Sequence, residues 1–196
     1  MPRAGVEDAR RAALVEAAIR EIGAAGSLDV TMARVAGAAG VSAPLAHHYF
    51  GAKDTLFEAA MRAILADYAR CVRAATVGVT SPRDRVEAVL AASFSDAHFA
   101  PHVVAAWLVF YVQAQRRPAF RRLLQIYHAR LRSNLLAGLR PLAGAGAGAE
   151  AAADSLGAMI DGLYLRAALS DRPATGAAAL ATVRAHLDLL LAEARA

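Results

Sequence analysis

Asp96, His98 and His102 are the residues of this 196-residue chain that first suggest chemistry, because two histidines four apart with a nearby carboxylate could hold a metal ion. A metal-dependent enzyme is therefore one reading. Pro101 counts against it, since it interrupts the helix that would align the two imidazoles. No Ser/His/Asp or Cys/His set is identifiable, and no glycine-rich phosphate loop follows a strand. Cys71 is the single cysteine; it cannot form an intrachain disulfide and reads as a small helix residue rather than a redox sensor. The expectation is no metal, no cofactor and no enzyme activity.

Other groups stand out by spacing or rarity. Lys53 is the only lysine among 22 basic residues. Trp107 and Tyr111 are four apart and share a helix face with Phe110 beside them; Asp161 and Tyr164 are three apart, and Tyr127 lies between. An aromatic stripe in a helical domain is usually core, and Asp161 can instead pair with Arg130 or Arg166 or lie near an interface. The net charge of +5 invites a nucleic-acid reading. Its distribution does not locate one. In residues 1–56, Arg3, Arg10, Arg11, Arg20, Arg34 and Lys53 are balanced by Glu7, Asp8, Glu16, Glu21, Asp29 and Asp54. The excess lies in Arg116, Arg117, Arg121, Arg122, Arg130, Arg132 and Arg140, a stretch that reads as a solvated face or an attractor of an anionic effector.

These groups need elements to position them. With 57% hydrophobic residues, many of them alanine, and no period-two β-branched runs, the chain is expected to be all-α. Leu14, Val15, Ala18, Ile19 and Ile22 stripe a first helix from Val6 to about Ala25, which Gly23 and Gly26 should loosen and stop. Thr31 caps a second helix to about Ala39, Gly40 turns the chain, and Ser42 caps a third with Pro44 in its first turn. Two short helices about a glycine turn make a helix-turn-helix near residues 31–50. Further helices follow from Lys53 to about Ala75, Pro82 to about Ala97, Pro101 to Ala114, and Pro118 to about Leu142. Ala143 to Ala149 reads as a flexible connector, before helices Glu150–Leu169 and Thr175–Ala194 separated at Asp171-Arg172-Pro173. Each long apolar stretch is broken by charge and no signal pattern opens the chain, so no membrane association and a cytoplasmic location are expected.

The run from Thr31 through Val35-Ala36, Ala39-Gly40-Val41-Ser42 and Tyr49-Phe50 to Lys53 and Leu56 resembles the TetR family signature. The resemblance implies about nine helices, with a DNA-binding domain over 1–52 and a helical effector-binding and dimerisation domain over 53–196. It implies that Ala43, Pro44 and His47 face bases in a major groove while Thr31, Ser42, His48, Tyr49 and Lys53 contact the DNA backbone. His47 and His48 depart from the pattern, which commonly carries tyrosine at the first of them.

Ala106–Phe110, Leu131–Leu135 and Ile160–Ser170 extend the similarity to choline-responsive BetI-type repressors. That likeness implies a repressor released from a palindromic operator on double-stranded DNA by choline or a related quaternary ammonium compound, in control of glycine betaine synthesis. Such a cation calls for aromatic faces and a carboxylate, which Trp107, Phe110, Tyr111, Tyr127, Asp161 and Tyr164 could supply. A TetR-type regulator of another pathway or efflux gene, with an apolar or anionic inducer, is the alternative. A homodimer through the last two helices is also implied, with stripes Leu156, Met159, Ile160, Leu163, Ala167 and Leu180, Val183, Leu187, Leu190, Leu191, and with Gly157 and Gly162 allowing close approach.

Overall fold

A computed structural model describes residues 3–143, 146–171 and 175–193. Among the described residues the chain forms nine helices: α1 (Arg3–Ala25), α2 (Met32–Ala38), α3 (Ala43–Phe50), α4 (Lys53–Thr76), α5 (Pro82–Ser93), α6 (Pro101–Ala114), α7 (Pro118–Ala143), α8 (Ala147–Ala168) and α9 (Gly176–Glu193). None of them is long and apolar enough to cross a membrane. The helix starts follow local chemistry. Thr31, Ser42 and Ser81 each accept a backbone N–H through their hydroxyl oxygen, from Arg34, Leu45 and Asp84.

The chain divides into two compact units: residues up to Leu65 with Pro101–Leu123, and Ala66–Ala100 with Leu124 onward. The expected boundary at residue 52 is therefore not where compactness breaks, because α6 packs along α1. In the first unit Leu14, Ala18 and Ile22 of α1, Val35 and Ala36 of α2, Ala46 of α3, and Leu56 and Phe57 of α4 are buried. The second unit buries Val86, Val89 and Leu90 of α5, Leu135 and Leu139 of α7, Leu156 and Ile160 of α8, and Val183 and Leu187 of α9.

Several boundaries differ from expectation. Helix α1 ends at Ala25 as expected; Gly23 lies within it, and a Cβ there would come 2.3 Å from the His102 carbonyl oxygen, so its bare Cα admits the α6 backbone. Gly26, with φ of 61°, closes the helix. Helix α5 ends at Ser93 rather than near Ala97, with Phe94 as its cap. The alanine-glycine run is not all connector: α8 already begins at Ala147 after Gly146, while Gly144 and Ala145 lie outside the described residues, as do Arg172, Pro173 and Ala194. Alanine's helix propensity outweighs the interspersed glycine there.

Replacing Gly23 with alanine should force α1 and α6 apart, at a cost of about 1–3 kcal/mol that exceeds alanine's helical gain. Gly5 of the same helix faces open space, so Gly5→Ala should hold or raise Tm. Thermal unfolding of the two variants decides it, and equal Tm values would show that the contact is slack.

Candidate DNA interface and effector-site residues

The turn between α2 and α3 is shaped by Gly40, at φ of 68°, followed by the Val41 N–H donating to the Ala36 carbonyl at 3.0 Å. This closes the second helix onto the third. On α3, Pro44, His47 and His48 are exposed at i, i+3 and i+4 spacing, Ser42 is exposed at the cap, and Ala43 is half-exposed. These residues form one outward face, as a reading helix requires. The Thr31 and Ser42 hydroxyl oxygens accept from the backbone, so each keeps its own O–H as a donor.

Tyr49 and Lys53 are engaged within the protein. The Arg11 guanidinium donates to the Tyr49 carbonyl at 2.9 Å and lies 5.1 Å from the Tyr49 ring and 5.7 Å from the Phe50 ring. It binds the end of α3 to α1. The Lys53 ammonium donates to the Leu28 carbonyl at 3.2 Å and sits 5.7 Å from the Phe57 ring centre, which leaves two of its donors. Arg34 of α2 pairs with Glu21 of α1. Arg11 was not among the residues singled out for this site; as one arginine of an adjacent pair, nothing local marks it.

The aromatic candidates fall into two groups. In the first unit Trp107 is buried against Tyr111 at 5.3 Å, and Phe110 is fully buried with Phe120 at 5.5 Å. In the second unit Tyr127 meets Tyr68 edge-on at 5.6 Å, and Tyr164 meets Phe99 at 5.2 Å and Phe94 at 6.0 Å. The Tyr164 hydroxyl donates to the Ser93 carbonyl. Ser93 gives its own proton to the Val89 carbonyl at 3.0 Å, so the Tyr68 hydroxyl donates to Ser93 Oγ at 3.1 Å.

Asp161 pairs with neither Arg130 nor Arg166. Its Oδ2 lies 3.2 Å from His128 Nε2, while its Oδ1 is buried with no hydrogen-bond donor. Burial pushes the Tyr68 phenol up to about 12. Tyr164 is pushed up further by burial, then by Tyr68, Asp161 and Cys71. Both rings are neutral near pH 7. Tyr68, Phe94 and Phe99 escaped sequence reasoning because Tyr68 continues the apolar stripe of α4 and the two phenylalanines flank a helix end that periodicity overran.

His98 is also buried here. Its Nε2 lies 3.0 Å from Asp67 Oδ2, off the line of a hydrogen bond, and its Nδ1 is 2.7 Å from the Ser95 hydroxyl. Among the described residues no group of three or more His, Cys, Asp or Glu side chains could hold a metal, so Asp96, His98 and His102 do not make a centre. The arginine stretch is partly consumed internally. Arg117 pairs with Asp54 at 2.8 Å, Arg121 donates to the Ala114 and Gln115 carbonyls that end α6, and Arg132 pairs with Glu150 and Asp154.

A capped helix-turn-helix with an outward third helix, joined to further helices enclosing an aromatic and acidic cluster, defines a DNA-binding transcriptional regulator. Residues 14–60 match the bacterial regulatory proteins of the tetR family, and residues 82–192 match the C-terminal domain of BetI-type transcriptional repressors. The HTH-type transcriptional regulator BetI of Brucella suis biovar 1 (strain 1330) is 48% identical over 191 residues, 97% of this chain and 96% of that protein. The chain belongs to the TetR family and carries a BetI-type C-terminal domain, which makes it a repressor and not an enzyme.

Solved structures agree. A transcriptional regulator from Pseudomonas aeruginosa PAO1 is 30% identical with a TM-score of 0.78, over 93% of this chain and 90% of its own. One from Saccharomonospora viridis, solved in complex with choline, has a TM-score of 0.77 at 18% identity over 91% and 95% of the two chains, a likeness of fold.

The phenols carry a pH prediction. Because Tyr68 keeps its proton to about 12 when folded and to about 10 when unfolded, its stabilising contribution is complete below pH 10 and is lost as pH climbs to 12. The loss from this residue is roughly 2–3 kcal/mol. Denaturant unfolding from pH 8 to 12 should show a shallower decline for Tyr68→Phe; superimposable slopes would refute the assignment.

Proposed function

We propose that this repressor holds a roughly palindromic operator as a homodimer and releases it when a choline-like quaternary ammonium cation occupies the second unit. The carrying observation is Asp161 Oδ1, a buried carboxylate oxygen without a donor. A buried oxygen without a donor lacks one interaction, and a cation supplies it by charge alone, even one with no N–H to give. Tyr68, Tyr127 and Tyr164 add neutral ring faces in the same unit. The choline complex of the Saccharomonospora viridis regulator shows that this fold can house such a ligand. An anionic inducer finds less support, since Arg117, Arg121 and Arg132 already have partners.

For DNA, the reading assigns base contacts to Ala43, Pro44 and His47 and backbone contacts to Thr31, Ser42, His48 and Lys53, with Tyr49 supporting α3 through Arg11. Lys53 fits a phosphate ligand because its remaining donors are free while the Leu28 carbonyl fixes the ammonium.

Half of the stripe residues expected at a dimer face are used inside the chain. Leu156, Ile160, Val183, Leu187 and Leu191 are buried within their own chain. What remains outward is Leu165, 45% exposed, with Ala158 and Gly162 on α8, and Leu189, 64% exposed, within an uncharged stripe of Ala178, Thr182, Ala185 and Ala192 on α9. Like faces of two copies could pair there about a twofold axis.

In a gel shift on the upstream DNA, choline or betaine aldehyde should release the protein, and Asp161→Asn should weaken choline binding about tenfold or more while holding or raising the Tm of the ligand-free protein. Release unaffected by any of choline, betaine aldehyde and glycine betaine would sink the effector reading and leave the repressor. Separately, a Leu165→Glu/Leu189→Glu variant should sediment as a monomer and bind operator about a hundredfold more weakly. A dimeric double variant would move the interface elsewhere.

A further inference from the structure

His47 and Gly51 hold each other at the end of α3. The Gly51 N–H donates to the His47 carbonyl at 2.7 Å, and His47 Nδ1 lies 2.9 Å from the Gly51 carbonyl oxygen. A carbonyl can only accept, so Nδ1 carries the proton and donates it. Gly51 adopts φ of 67°, a conformation open to glycine, and this turns its carbonyl back toward the imidazole. The ring is thereby fixed in orientation and in tautomer. Its second nitrogen, Nε2, is left without a proton in the neutral ring, and the side chain is exposed on the same face as Pro44 and His48.

We infer that His47 is a specificity-determining residue that reads a base through Nε2 as a hydrogen-bond acceptor. In the major groove the donors are the exocyclic amines of adenine at N6 and cytosine at N4, whereas guanine O6 and N7 and thymine O4 only accept. An acceptor held at a fixed place along the helix therefore selects the strand on which the amine lies, and with it A or C at one position of each half-site. Arginine and lysine at this position could only donate and would select guanine. The local hydrogen bond thus sets the sign of the readout.

The inference rests on the assignment of α3 as the reading helix, and the experiment separates the two. Wild-type protein and His47→Phe would each be used to select from a random DNA library at pH 8.5, where an imidazole is neutral. The position at which the variant loses preference should carry A or C in the wild-type motif. Synthetic operators would then replace that adenine by purine, or that cytosine by 2-pyrimidinone, deleting the amine in both half-sites. Wild type should lose about three- to tenfold in affinity per half-site, and His47→Phe should be indifferent to the deletion. His47→Gln, whose amide can also accept, should recover part of the preference.

Identical motifs for wild type and His47→Phe would overturn the inference, as would a uniform loss of affinity on every sequence, which would mark a phosphate contact. So would coupling to 7-deazaguanine in place of amine deletion, since the ring would then be donating. If the wild type enriches no sequence at all, the assignment of α3 fails and takes this inference with it.

Discussion

The close approach of α1 and α6 at Gly23 fixes the platform on which the DNA-reading part of the chain is built. Where the His102 carbonyl lies within 2.3 Å of the place a Cβ would occupy, the two helices meet backbone to side-chain-free backbone. Helix α1 then serves as a common anchor. Arg11 in its first half ties down the end of α3, Glu21 near its end pairs with Arg34 of α2, and Leu14, Ala18 and Ile22 along the same helix are buried. The reading helix has only eight residues, too few to be stable in isolation, so its orientation depends on what this platform supplies.

That dependence bears on how an electrically balanced head can bind a polyanion. With the charges of residues 1–56 cancelling, long-range attraction contributes little, and affinity must come from a few groups held where phosphates pass. Lys53 is proposed as such a group: its ammonium is committed to one carbonyl and backed by the Phe57 ring, which would lower the entropy lost on meeting a phosphate. Part of the chain's basic excess is engaged within the fold. Arg117 pairs with Asp54 at the start of α4, and Arg121 donates to the carbonyls at the end of α6, so these two arginines serve helix-end chemistry.

Local signals were legible in the sequence wherever one residue determines the outcome. The caps Thr31, Ser42 and Ser81 and the prolines at 82, 101 and 118 mark helix starts because a hydroxyl oxygen or a missing N–H acts within one turn. Stops were legible to about one residue except that of α5. The packing role of Gly23 is not legible because it depends on a backbone about eighty residues away, and the apolar pattern runs past the end of α5 because Phe94 continues it while capping the helix. The second-unit cluster was half visible. Asp161, Tyr164 and Tyr127 carry helical spacing or unusual chemistry, but Tyr68 and His98 enter through contacts between distant segments that no periodicity encodes, and His128 displaced the arginines expected beside Asp161.

The cost of that cluster is what would let it act as a sensor. An effector shifts a conformational equilibrium only by the difference in its affinity for the two states. A ligand that merely fills an already satisfied site gains little differential energy. Asp161 has one oxygen in contact with His128 and one with no donor, among phenols whose protons are held by burial. On the proposed reading, a cation would satisfy the donor-less oxygen and a neutral molecule of the same shape would not. Allosteric coupling of about 1–3 kcal/mol is enough to change operator affinity by one to two orders of magnitude. Satisfying one carboxylate oxygen that lacks a donor would be of that size.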